Sequence, residues 1–136
     1  MLYKFTIVGN ESDIKGNPRP KARLTRQQTW TTQAQRYSAW KKHVVSSFLA
    51  ELKNSDIKEF QYRYNSFIAN GKPILESDDK MKMDIKIWWR NNAHGDPENI
   101  FGSIADALFK QDKFLAGSFD FSDTIGIGKV EVEIRI

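Results

Sequence analysis

Residues 94–112, HGDPENIFGSIADALFKQD, hold four carboxylates, Asp96, Glu98, Asp106 and Asp112, in a chain whose 21 Lys and Arg outnumber its 17 Asp and Glu. Two kinds of chemistry suit that pattern. Asp followed by Pro and Glu can start a helix: Asp96 at the N-cap can accept an orphan backbone N–H, Pro97 fits the first helical position, and both carboxylates suit the positive end of the dipole. The same residues suit a hard cation. Carboxylates spaced i, i+2 where a strand hands over to a helix can face one mouth, and Mg²⁺ takes oxygen ligands. Asp106 lies two turns beyond Glu98 on approximately the same helix face, and Asp112 falls just past the helix end. An ion held there would polarise a phosphoryl oxygen and lower the pKa of its water, which is the requirement of metal-assisted phosphodiester cleavage. The two readings do not exclude each other.

The charge distribution points the same way. From Ile14 to Ala50 there is no Asp or Glu, while Lys15, Arg19, Lys21, Arg23, Arg26, Arg36, Lys41 and Lys42 are basic, so the rest of the chain is slightly acidic. Little more than a quarter of the chain thus carries the positive field, the footprint of a polyanion partner such as nucleic acid. Cysteine is absent, which excludes disulfides, thiolate zinc sites and cysteine nucleophiles. With 136 residues one domain is expected. The N-terminal MLYKFTIVGN does not read as a signal peptide, and no window approaches the roughly 20 apolar residues of a membrane span, so a cytoplasmic protein is expected.

The elements that must position these residues follow from periodicity. Leu2 to Val8 alternates and reads as a strand with Tyr3, Phe5 and Ile7 inward. A loop with Pro18 and Pro20 around Arg19 then presents the cations. Tyr37, Trp40, Val44, Phe48 and Leu52 mark one stripe of a helix over about Thr32 to Lys53. The stretch from Asn54 to Lys80 mixes Asn, Gly, Pro and acids with apolar residues and predicts irregular or short strand structure. Met81 to Trp89 alternates as a strand, Ile100, Phe101, Ile104, Ala105 and Leu108 mark a helix from near Asp96 or Pro97 to about Phe109, and Lys129 to Ile136 is a last strand. GIGKVEV lacks the context of a nucleotide fingerprint and reads as a hairpin turn. The sum is a mixed α/β (α+β) class domain, a small mixed sheet with two main helices. Trp40 and Trp89 fall on apolar faces, whereas Trp30 is the better placed base-stacker. His43 and His94, the only histidines, read as surface or packing residues before bases.

DPEN…ADALFKQDKFL resembles the active-site region of the RusA family of Holliday junction resolvases, in which a D-x-D-N turn opens a helix containing D-A-L and a further Asp follows. GNPRPKARLTR and AQRYSAWKKHV resemble that family's basic loop and first long helix, so the likeness spans the chain. It implies Mg²⁺, with Mn²⁺ able to substitute, held by Asp96, Glu98 and Asp112 as the catalytic carboxylates, Glu98 standing for the commoner Asp. Asn99 matches the residue that closes the turn, and Asp106 a supporting one. Arg19, Lys21, Arg23 and Arg26 would bind the DNA backbone. Gly102 departs from the family, which carries a Lys there beside the acids, and Lys110 or Lys113 are the replacements the sequence offers. The implied activity is structure-selective cleavage of four-way DNA junctions by a homodimer in a bacterial cytoplasm, with a branched-DNA binding module of the same fold as the alternative. A hydrolase of free nucleotides would need a phosphate-cradling loop, and none is found.

Overall fold

The computed structural model describes residues 2–22, 31–70, 75, 81–109, 116–122 and 125–135, with the backbone alone for 66–70. Seven elements follow in order: β1 (Leu2–Val8), α1 (Thr32–Ser55), α2 (Ile57–Asn70), β2 (Lys82–Trp88), α3 (Pro97–Leu108), β3 (Ala116–Phe121) and β4 (Lys129–Arg135). The class is mixed α+β, with four strands in the order β1-β4-β2-β3. β4 runs antiparallel to both β1 and β2, while β2 and β3 are parallel and joined through α3. Parallel neighbours need such a crossover, and here it is the acidic helix that makes it.

The alternation of the strands becomes a sheet covered on one side. Tyr3, Phe5 and Ile7, Met83, Ile85 and Ile87, and Val130, Val132 and Ile134 are buried beneath the helices, with Trp40 and Phe48 of α1 and Ile100, Ile104 and Leu108 of α3 above them. Lys4, Thr6, Lys82, Lys86, Glu131 and Arg135 alternate to the exposed face. β1 ends at Gly9, whose φ of 62° and closeness to the Asp13 and Ile14 backbone leave no room for a side chain.

Three predictions need correction. Residues 57–70 form a helix rather than irregular or short strand structure, so the described residues hold a third helix beside the two main ones expected. Asp56, which ends α1, also accepts a bond from Glu59 N at 3.2 Å, so one residue both stops a helix and starts the next. Arg63 Nε donates to Glu59 Oε1 at 2.9 Å, and Phe60 stacks on Tyr64 at 5.5 Å, each one turn along. The capping pair Asp56 and Glu59 was the signal, masked by aromatic and Asn content that favours other structure. Second, Ala116–Phe121 is a strand that the sequence reading did not separate out. Third, the Gly126 region is a bend but not a hairpin, because β4 pairs with β1 and β2 while β3 pairs with β2.

Candidate functional site

The mouth of the site is the turn between β2 and α3. Trp89 is folded into the core at 2% exposure and His94 lies flat on it, ring centroids 3.7 Å apart and 6° from parallel, so His94 is a packing residue. Loop 9–20 clamps this turn from outside. Asn17 Nδ2 donates to Asn91 Oδ1 at 2.9 Å and to Ala93 O at 3.0 Å, Arg90 N donates to Asn17 Oδ1 at 2.6 Å, and Arg90 pairs with Asp13. The Asp13 carboxyl is held below its usual range, first by the Lys15 backbone N–H and also by Arg90. Pro20 sits so close to Gly95 that a β-carbon there would be 2.9 Å from Pro20 Cβ.

Asp96 occupies the N-cap of α3 with φ −71° and ψ 143°, and Pro97 follows in the first turn. Its carbonyl accepts from Ile100 N at 3.1 Å, but its carboxylate makes no capping bond. Glu98, in the same turn, is exposed. Neither carboxylate has an ion pair with another described residue. Two uncommitted carboxylates at one helix start are a donor set that fits Mg²⁺, which is bound through one or two carboxylates with waters and phosphate oxygens completing the shell. Among the described residues no group of three or more His, Asp or Glu converges, and Asp112 lies outside them.

Asp106 serves another purpose. Tyr37 Oη donates to its Oδ2 at 2.7 Å and Lys41 Nζ approaches to 3.6 Å, so it ties α3 to α1 and is not brought together with Asp96 and Glu98.

The basic loop is fastened to the same helix. Lys21 N donates to Asn99 O at 2.9 Å. Ser103, fully buried, accepts from Trp40 Nε1 at 3.0 Å and donates its hydroxyl to Arg19 O at 2.7 Å or Ile100 O at 2.8 Å. Arg19 Nε donates to Glu11 Oε1 at 2.9 Å, and the Glu11 side chain is only 8% exposed. The aliphatic stem of Lys21 then crosses Gly102: a β-carbon at 102 would meet Lys21 Cδ at 3.5 Å and Cβ at 3.7 Å. This strap, residues 19–22 of the basic loop, thus lies against Gly102, and Lys110 and Lys113 lie outside the described residues. Arg23, Arg26 and Trp30 lie outside them as well. Between strap and α1 a cavity of about 170 Å³ is lined by Arg19, Lys21, Gln33, Arg36 and Tyr37, a cationic recess on the Asp106 side of the strap.

A larger groove of about 730 Å³ lies elsewhere, where Lys4, Lys86, Asp84, Glu131 and Glu133 meet His43. Its charges are mixed and His43 Nε2 is already bonded to Val8 O at 2.9 Å, so it offers less organised chemistry than the α3 mouth. Ser103, Glu11 and Asn17 are the residues that sequence reasoning missed. Only the Asn10-to-Asp13 turn, in which Asn10 Oδ1 accepts from Ser12 N and Asp13 N, had a readable signal in its Asn-x-Ser-Asp pattern. Neither the models of known protein families nor the curated proteins compared with this chain match it.

Proposed function

We propose that the chain is a Mg²⁺-dependent, structure-selective endodeoxyribonuclease that cuts four-way DNA junctions, as its resemblance to RusA resolvases implies, acting as a homodimer in a bacterial cytoplasm. One observation carries the reading: the basic strap, Arg19 to Ala22, is fastened to α3 within a turn or two of carboxylates, Asp96 and Glu98, that have no structural task among the described residues. Stretches separated by more than 70 residues in sequence become one surface of opposite charges side by side. That is the arrangement cleavage of a phosphodiester in a polyanion requires.

In this reading Asp96 and Glu98 hold the metal, with Asp112 as the third ligand that the resemblance supplies, and Mn²⁺ substitutes. When bound, the ion supplies Lewis acidity to the phosphate and a water of lowered pKa. Arg19 and Lys21, with Arg23 and Arg26 further along, grip backbone phosphates. Asn99 holds the strap through its carbonyl, and Asp106 holds the helix against α1 through Tyr37 and Lys41. The Lys21 stem lies against Gly102, and in this reading its charge would serve from the strap where the family carries a Lys on α3.

The second reading is a branched-DNA binding module without cleavage, favoured by one observation: α3 carries Gly102 where the resemblance expects a Lys beside the acids. A synthetic junction incubated with purified protein decides. Paired nicks that require Mg²⁺ or Mn²⁺ and vanish in Asp96→Asn support the nuclease. A gel shift with no nicks in either metal leaves only the binding module.

A further inference from the structure

We propose that Glu11 is a positioning residue: its buried carboxylate holds the Arg19 guanidinium so that the two Nη groups receive a backbone phosphate of DNA. The inference rests on the nucleic-acid side of the reading above and does not require cleavage. Glu11 lies in the loop after β1, and its side chain is only 8% exposed. Its Oε1 accepts from Arg19 Nε at 2.9 Å, with Ser12 Oγ a distant second donor at 3.5 Å. Its Oε2 is buried and has no hydrogen-bond partner. A buried carboxylate oxygen without a donor is costly, so its place calls for a reason.

The pairing geometry supplies one. Arginine and carboxylate often meet side by side through two N–H···O bonds, which satisfies both oxygens. Here Nε alone is engaged. Of the five N–H donors of a guanidinium, the four on Nη1 and Nη2 have no hydrogen-bond partner among the described residues. A side-by-side pairing would satisfy Oε2 and an Nη group together; the single bond instead keeps the Nη donors for an acceptor from outside. The backbone of Arg19 is pinned as well, since its carbonyl accepts from Ser103 Oγ at 2.7 Å and Pro18 and Pro20 stiffen the chain on either side.

Phosphate is the acceptor that suits this arrangement. Lys21 and Arg36 line the same recess as Arg19, with no acid in its described lining, so the local field favours an anion. Phosphate oxygens take paired guanidinium N–H groups as a carboxylate does. An arginine already held at its carbonyl and at Nε loses less freedom on binding than a loose surface side chain.

Binding of a synthetic four-way junction in EDTA, followed by fluorescence anisotropy across a salt series, tests this without cleavage. Charge alone and positioning predict opposite signs. If Glu11 acted only through its charge, removing an acid beside a polyanion site would tighten binding. Under positioning, Glu11→Ala should weaken binding roughly tenfold, the scale of one charge-assisted contact. The slope of log K against log salt should shrink by about 0.9, the value of one phosphate contact. Glu11→Gln, whose amide oxygen can still accept from Nε, should recover most of the affinity and the slope. Arg19→Ala should match Glu11→Ala, and combining the two should cost nothing more. Should Glu11→Ala fail to fold, Arg19→Lys reads the same geometry: it keeps the charge, lacks the Nη pair, and should show the same weakening. Unchanged or tighter binding by Glu11→Ala and Arg19→Lys, at an unchanged salt slope, overturns the proposal and leaves the nucleic-acid reading standing. Wild-type protein that does not bind the junction overturns both.

Discussion

Asp106 and the pair Asp96 and Glu98 belong to one helix, yet the fold treats them in opposite ways. Asp106 is half-buried and spoken for by Tyr37 and Lys41. The helix-start pair is exposed, with no ion pair to any described residue, even though Asp96 sits where a capping bond would be natural. Stability explains the first arrangement and leaves the second without a structural purpose. An acid that forgoes its local bond marks function more strongly than its residue type does.

The contrast is sharpest if the two positions fail differently. Asp96→Asn should reduce junction nicking by roughly 10²–10³-fold, the scale of losing one group that stabilises transition-state charge, with little change in the thermal midpoint. Nicking assays beside thermal melts check this, and a large melting shift with full cleavage would make Asp96 a cap after all. Ser103→Ala comes next. It leaves the buried Trp40 N–H without its acceptor and frees the strap, so unfolding free energy should fall by about 1–3 kcal/mol, and proteolysis within residues 15–30 should accelerate. Asp106→Asn should cost about 1 kcal/mol through the weakened Tyr37 bond, as read by urea unfolding, and should leave nicking within severalfold of wild type. Equal loss of nicking in Asp96→Asn and Asp106→Asn would erase the distinction.

The smallest effect concerns a carboxylate on the structural side. Glu59 accepts from Tyr3 Oη at 2.7 Å and from Arg63, and its pKa is lowered, chiefly by the Tyr3 bond. Tyr3 is raised, by burial first and then by Glu59. A depressed carboxylate contributes stability that is present above its unfolded pKa of about 4.3 and is lost as pH falls through the lower folded value. Glu59→Gln should therefore lose stability at neutral pH, by under about 1 kcal/mol given its partial exposure, and should narrow the difference from wild type in acid. Urea titrations at pH 7 and at pH 3 read the two ends.

What the sequence disclosed tracks how local each signal is. The alternation of Leu2–Val8 and Lys82–Trp88 and the stripe Tyr37 to Leu52 were readable because one buried face writes its period into the chain. α2 escaped notice because its start depends on one capping residue shared with α1, and its Phe60 and Tyr64 fit either class of structure. β3 escaped because none of its residues is buried, so no inward face imposed a pattern. At the site, composition displayed the acids and the basic loop but not their union. That union depends on Ser103, one small residue in a helix whose significance lies in Trp40 and Arg19, 63 and 84 residues away.

Lys21 lying across Gly102 makes two distant positions tenants of a single space. A side chain at 102 would begin in van der Waals contact with the Lys21 stem, so substitutions at 21 and 102 should be non-additive. The glycine costs α3 about 1 kcal/mol of helix propensity against Ala. The contact thus couples a strap residue to a helix residue 81 positions away, a link that neither segment's own sequence displays.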